Sequence, residues 1–497
     1  MPLKPLHVAI VGAGIGGLAA ALRLAFQGVK VTVFEQHGTA GGKMRIVPSD
    51  AGPIDAGPTV LTIKPVFETL FSDVGLCLED HLTLIPQDIL ARHFWPDGTT
   101  LDLMQDPEVS RANVQAAFGT KAARDFDSFS NRARQLYDAF DAPMMQSSEP
   151  SQADLTRLVL KNPKLIPAMD PLRSLSRSLN RKFSEPRLAQ LFARYATYVG
   201  GVPDASPALL SLIWNAENQG VWHVKGGMHQ LALSIASCAK KFGAAFQYGA
   251  KVTRVEMKSD AVCAVHTEAA RIPVDAVLFN GDPAALQCGL LSSAVIPAVP
   301  MQDPRSLSAS VMSFAAKPDG IPLSAHNVFF ADDPKREYAP LAKGQHQTDP
   351  TLYICAQDRF AGSAPVGLER FEIILNSPPI DPADPQVPAQ LEKARQQCQT
   401  QILDRLKHFG LTFSPTPQPS AVTLPQDFNR MFPASGGSLY GRSPHGMMAA
   451  FKRPTARTAV TGLYLTGGGS HPGAGVPMAT LSATHAVAAI LSDLTSI

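Results

Sequence analysis

The chain has 497 residues, room for about two or three domains with a large shared core. Apolar residues make up 45% of it and the formal charge is only +2, a balance that gives no footing for nucleic acid as a partner. Six cysteines are scattered without C-x-x-C spacing, which argues against a zinc site or a disulfide framework and fits a reducing compartment.

The first elements lie in "HVAIVGAGIGGLAAALRLAFQGVKVTVFEQ": an apolar strand, a glycine turn, a helix and a second strand ending at Glu35. The run Leu6–Phe26 has the apolar character of a signal peptide or a span. Its spaced glycines and Arg23 predict strand-turn-helix instead, and a second β-like run comes directly after. Elsewhere no uncharged stretch reaches spanning length, so the chain is expected not to cross a membrane, although it can lie on one.

Gly12, Gly14 and Gly17 match G-x-G-x-x-G. In that pattern the first glycine makes the tight turn, the second lets backbone approach a pyrophosphate, and the third allows close helix–strand packing. The helix N-terminus offers phosphates unpaired N–H groups and a positive dipole end. Glu35 stands where a carboxylate accepts hydrogen bonds from ribose hydroxyls, and an acid there disfavours a 2′-phosphorylated dinucleotide. Strand, helix, second strand and acid in register make this more than a bare glycine pattern.

Next come Gly41, Gly42, Lys43 and Arg45 in "QHGTAGGKMRIV", then Asp55, Gly57, Pro58 and Thr59 in "IDAGPTVLT". Standing alone, the stretch is an ordinary glycine-rich turn. Just after a βαβ unit, it predicts a second backbone loop and a cation at the pyrophosphate. The further βα repeats of a classical NAD domain are missing.

Between Thr156 and Arg187, eight Lys/Arg stand against two acids among Leu, Ile and Phe. That composition suits a helix in a lipid headgroup region; the plainer reading is a solvated helix face over the core. Arg194, Tyr195 and Tyr198 come next at near-helical spacing, either lining a substrate path or lying in the core with hydrogen-bonded tips. Trp214 and Trp222 carry the same two readings.

"YGAKVTRVEM", which contains Val252, predicts a strand returning to the nucleotide-binding unit. "VDAVLFNGDP" predicts a buried strand with Asn280 and Asp282 at its tip, Asp282 reading equally as a plain turn former before Pro283. Near the C-terminus, "YLTGGGSHPGAGVPMATLSATHAVAAIL" repeats the first arrangement: a strand, the glycines Gly467–Gly469, then Gly473 and Gly475, and a helix beginning near Pro477. It is expected to bring backbone N–H groups to another point on the same ligand. His471 in this loop reads as a general base or as a turn and packing residue. Neither a Ser-His-Asp order nor an H-E-x-x-H cluster occurs, so no metal is expected.

Residues 35–60 resemble the second conserved region of the flavin amine oxidase and phytoene desaturase superfamily, which favours FAD over NAD. "GGGSHPGAGVPMATLSA" resembles the C-terminal signature of bacterial phytoene desaturase-type carotenoid dehydrogenases. "RYATYVGGVPDASPA", "GVWHVKGGMHQLA", "FNGDP", "YICAQDR" and "FEIILNSPP" extend the likeness along the chain. With "DHLTLIPQDILARHFWPDG", the sequence is most similar to the hydroxycarotenoid 3,4-desaturases of purple bacteria.

The resemblance implies an α/β fold whose Rossmann-like FAD-binding domain is discontinuous, assembled from residues 1–90, 220–290 and 420–497. Residues 91–219 and 291–419 would form a mixed α+β substrate domain, with a membrane-associating helical region at 125–190. It places Val252 at the adenine side, Asn280 beside the FAD, and Gly468, Gly475 and Val476 near the ring. Gly42, Lys43, Arg45, Pro58 and Thr59 join Gly12, Gly14, Gly17 and Glu35 as cofactor contacts, while Arg194, Tyr198, Trp222 and His471 line the substrate path.

The implied reaction introduces a C3–C4 double bond into an acyclic 1-hydroxy or 1-methoxy carotenoid. FAD would take a hydride, and reduced flavin, His471 or a carboxylate the proton. At ~0.8 kcal/mol per buried CH₂, a C40 polyene carries tens of kcal/mol of apolar surface, so it arrives from the bilayer. The enzyme is therefore expected to be cytoplasmic and peripheral on the inner, photosynthetic membrane, with quinone or oxygen as electron acceptor. Phytoene or neurosporene desaturation and carotene cis-trans isomerisation are the alternatives within the superfamily. A non-enzymatic prenyl chaperone of the same fold is a remote one, since it need not keep the phosphate turn and Glu35.

Overall fold

The structure is a computed structural model that describes residues 6–362, 365–383 and 387–495. Val8–Ile10 and Val31–Phe34 are continuous apolar runs with one threonine, all buried, the pattern of parallel strands covered on both faces. They form adjacent strands, His7–Val11 and Lys30–Glu35, in a five-stranded sheet. Its order is Leu463–Leu465, Ala276–Phe279, His7–Val11, Lys30–Glu35, Ala245–Tyr248, and every pairing is parallel. Three distant stretches of sequence thus share one sheet.

Strand register brings the loops of this sheet together. Val11 lies opposite both Phe34 and Phe279, and Phe279 lies opposite Leu465, so these strands end level at their C-terminal edge. The glycine turn, Asn280 and Thr466–Gly467 all leave the sheet from that line. In open parallel sheets this edge is where ligands bind.

Helix Ile15–Phe26 packs on one face between helices His229–Lys241 and Val476–Thr495. An antiparallel three-stranded sheet, Val252–Lys258, Ala261–Thr267 and Arg271–Pro273, shares a core with the other face through Val255, Val265 and Phe279.

A second, eight-stranded sheet is drawn from residues 89–104 and 308–423. Its long strands, Ser308–Gly320 and Glu369–Ser377, pair antiparallel over nine positions. Helices Pro107–Phe118 and Thr120–Phe140 build a separate aromatic core around Phe126, Phe129, Phe192 and Trp214.

The basic stretch after Thr156 is not one helix. It is broken into Gln152–Lys161, Leu165–Met169, Leu175–Lys182 and Pro186–Ala193. Pro163 and Pro171 fall at the breaks, Asp170 turns left-handed (φ +48°), and Ser151, Ser174 and Glu185 cap the helix starts with their side chains. No helix is long and apolar enough to cross a membrane among the described residues. All six cysteines are free thiols.

Candidate functional site

Gly12 sits at φ +102°, and its N–H donates to the Phe34 carbonyl at 2.8 Å. The Ala13 N–H donates to one oxygen of Glu35 and the His37 N–H to the other, both at 2.8 Å. Glu35 is buried. It braces the turn with one lone pair per oxygen and keeps others able to accept further hydrogen bonds. Gly14 is the N-cap of helix Ile15–Phe26 without a side-chain cap, so the first-turn N–H groups have no intrahelical partner.

A Cβ on Gly17 would stand 2.3 Å from the Gly12 carbonyl oxygen, which leaves only glycine. At Gly16 it would meet the Gly467 nitrogen, Thr466 Oγ1 and Asn280 Oδ1, each at 2.8 Å. The Asn280 amide donates to the Gly12 carbonyl at 3.0 Å. Turns more than 450 residues apart in sequence therefore touch at Gly16.

The second glycine loop joins them. The Gly41 N–H donates to the Ala13 carbonyl at 2.9 Å, and a Cβ on Gly42 would lie 3.1 Å from Gly14 Cα. Lys43 Nζ donates to the Leu439 carbonyl at 2.5 Å. From the other side, Arg453 donates to the Gly468 carbonyl at 3.0 Å and to the Tyr440 and Arg442 carbonyls at 2.9 Å. The segment Leu439–Arg442 is clasped between these two cations.

Lys43 keeps a large accessible surface, yet burial pulls its ammonium down to about 8, with Asp282 opposing. Gly475 (φ +108°) and Val476, at the N-terminus of the C-terminal helix, also keep accessible surface. At the far edge, Ala250 donates its N–H to the Glu35 carbonyl at 2.8 Å, which sets the buried Val252 just beyond the acid.

Arg194 and Tyr198 lie on a short 3₁₀ segment, Arg194–Val199. The Arg194 guanidinium donates to the Tyr198 hydroxyl at 2.9 Å and lies over the rings of Tyr198 (5.1 Å) and Tyr353 (5.5 Å). The Tyr353 hydroxyl hydrogen-bonds Thr59 Oγ1 and His326 Nδ1, both at 2.7 Å. Pro58 is half-buried beside Thr59. Tyr440 reaches the same wall, since a Cβ on Gly200 would stand 2.6 Å from its ring. Burial pushes the Tyr198 hydroxyl up to about 12 and raises those of Tyr353 and Tyr440. All three are only half-buried by surface.

The remaining sequence candidates have other partners. Trp222 pairs its backbone with Leu61 (2.9 and 3.1 Å) and packs on the core beside the glycine-turn helix. His471 is buried, donates from Nε2 to the Ser147 carbonyl at 2.8 Å and stacks on His485 at 5.8 Å. Its contacts are those of a packing anchor. Arg45 faces the large sheet, donating to Thr423 Oγ1 at 3.2 Å above the Phe428 ring; burial lowers its pKa, with Glu372 opposing. Asp282 ion-pairs with Arg305 at 2.5 Å.

Sequence reasoning missed Gly16, Tyr440 and Arg453 altogether. It also assigned no role to Asp55, whose carboxylate accepts the Met228 and His229 N–H groups at 2.8 and 3.1 Å.

The sequence model of the family "Flavin containing amine oxidoreductase" matches residues 15–491. The chain is 52% identical over 492 residues to hydroxyneurosporene desaturase of Cereibacter sphaeroides, covering 98% of each chain. It is 30% identical over 490 residues to a 1-hydroxycarotenoid 3,4-desaturase of Flavobacterium sp., covering 95% of this chain and 96% of that one. Cyclohexylamine oxidase from Brevibacterium oxydans has the same fold at 16% identity (TM-score 0.59), over 99% of this chain and 100% of that one. The chain belongs to the flavin-containing amine oxidoreductase family and, within it, to the phytoene desaturase-type carotenoid desaturases.

Proposed function

We propose that this protein is an FAD-dependent desaturase that introduces the C3–C4 double bond into acyclic 1-hydroxy or 1-methoxy carotenoids. The observation that carries the reading is the meeting of three glycine turns at level strand ends, beside a cluster of half-buried tyrosines around Arg194. Relatives named for this chemistry match over nearly the whole chain.

The residues present fit FAD. The uncapped helix N-terminus at Gly14 offers N–H groups to the pyrophosphate, and the buried Glu35 offers acceptors to the ribose. Gly42 leaves Gly14 unobstructed, and Lys43 supplies a cation next to that loop. The second helix N-terminus, at Gly475 and Val476, favours negative charge on the ring. When bound, the flavin supplies a two-electron acceptor for the hydride. The protein's share is to orient the polyene, hold the ring and keep water from the reacting carbons.

The unit built on the five-stranded sheet, 1–90, 220–290 and 420–497, is assigned to the cofactor, and 91–219 with 291–419 to the substrate. Within 125–190 lies the face we assign to lipid. Leu160, Ile166 and Leu172 are 72%, 45% and 92% exposed, next to Lys161, Lys164 and Arg173. Exposed leucines flanked by cations suit a headgroup layer. A substrate of this apolarity requires such a berth, on the cytoplasmic side of the inner photosynthetic membrane, where quinone or oxygen takes the electrons.

The test is incubation with FAD and vesicles carrying phytoene, neurosporene or 1-hydroxylated acyclic carotenoids. Loss of two hydrogens and a red-shifted spectrum are expected on the hydroxylated substrates. Unchanged mass would mean isomerisation, and turnover of phytoene alone would overturn the substrate assignment. Flotation with anionic but not neutral vesicles is the expected docking result.

A further inference from the structure

Arg194 is a costly group to place inside a protein. Its guanidinium has five N–H donors, and among the described residues one is used, on the Tyr198 hydroxyl at 2.9 Å. Two aromatic faces cover it, those of Tyr198 and Tyr353. It forms no ion pair among the described residues, although Glu217 and Glu337 lie near enough for its charge to act on theirs. Burial raises both of those carboxyl groups, Glu337 to about 7, with Arg194 opposing. Arg194 is only half-buried by surface, so its spare donors are not all sealed by protein. An unpaired buried cation is unfavourable unless an occupant brings an acceptor.

We infer that Arg194, steadied by Tyr198, is the polar end-stop of the substrate channel and binds the terminal oxygen of the carotenoid. It thereby selects oxygen-bearing polyenes over wholly hydrocarbon ones. This rests on the desaturase reading above. A 1-oxygenated carotenoid desaturated between C3 and C4 carries its oxygen close to the nearer reacting carbon. The acceptor's partner must therefore stand beside the reaction site, not at the far end of a long tunnel.

Arg194 meets that demand. The wall it shares includes Tyr440, and a Cβ on the adjoining Gly441 would lie 2.9 Å from Gly469 Cα in the third glycine turn. Through Tyr353 the wall also reaches Thr59, in the second loop. The choice of a guanidinium has chemical sense. A hydroxyl both donates and accepts, whereas a methoxy oxygen only accepts. A donor-only group serves both kinds of chain end; a carboxylate would serve the alcohol alone.

The experiment compares Arg194→Met, Arg194→Lys and Tyr198→Phe with the unaltered protein. It uses a 1-hydroxylated carotenoid and its unhydroxylated counterpart of equal length, and reads kcat/KM, equilibrium binding to the oxidised holoenzyme, and FAD content. The preference for the hydroxylated substrate should fall roughly 10- to 100-fold in Arg194→Met, the loss of a hydrogen bond to a charged donor. Arg194→Lys should recover part of it. Tyr198→Phe, which removes one oxygen and keeps the ring, should lose a few-fold, so the idea stays testable if Arg194→Met does not fold.

Equal losses on both substrates, or an unchanged preference, would overturn the inference. So would loss of FAD from Arg194→Met, which would put the guanidinium on the cofactor. If the unaltered protein desaturates no carotenoid, the desaturase reading falls. Binding preference measured without turnover would then still decide the subsite.

Discussion

Gly16 shows how tightly the cofactor turns are joined. Its missing Cβ leaves room for the Gly467 nitrogen, whose N–H donates to Ser482 Oγ at 2.8 Å. Two of the three atoms a new methyl would meet are a backbone nitrogen and an amide oxygen fixed beside the Gly12 carbonyl, and neither can swing away. Gly16→Ala should therefore part the first and third turns, and the purified variant should lose most of its bound flavin absorbance. Full retention of FAD would mean the turns are more pliable than their spacing implies. At this scale the sequence was informative where the constraint is local. Gly12, Gly14 and Glu35 are readable from backbone conformation and strand length. Gly16, Tyr440 and Arg453 depend on chain segments remote in sequence or on loop packing, so no spacing rule reveals them. Arg45 shows the opposite limit: the right residue type beside the right loop, turned towards the other sheet.

At the scale of elements, the C-terminal helix anchors the end of the helical layer. His485 on that helix donates to the Met145 carbonyl at 3.1 Å, and His471 before it donates to the Ser147 carbonyl. Burial lowers both imidazoles; for His471 the neighbouring His485 and Arg453 push the same way, against its bonds to Ser147 and Met144. The unfolded chain thus binds more protons than the folded one as pH falls below about 6.5, so stability supplied by the pair is lost on acidification. Proteolysis within residues 141–150 should quicken between pH 7 and 5, and His485→Asn should show faster cleavage already at pH 7. Cleavage indifferent to pH would refute the anchor. The basic, apolar composition of residues 156–187 was readable, but the breaks were not. They are set by Pro163 and Pro171, which stop each helix, and by side-chain caps that restart it.

For the whole molecule, a parallel sheet assembled from residues 7–35, 245–279 and 463–465 is what turns separated glycine motifs into one site. The βαβ start was plain from its pattern. Strand order and level strand ends are long-range facts, which the glycine crowding at both ends of the chain only hinted at. The eight-stranded sheet left still less trace, because most of its strands are short and several have partners remote in sequence. What the fold achieves is to bring three glycine turns and the tyrosine cluster around Arg194 to one edge of the parallel sheet.

The most direct measurement is an anaerobic mixing experiment on the purified yellow protein. Vesicle-borne 1-hydroxylated acyclic carotenoid should bleach the oxidised flavin stoichiometrically, and the recovered carotenoid should be two hydrogens lighter. A protein that takes up no FAD, or a flavin that stays oxidised while the carotenoid is converted, would contradict the account.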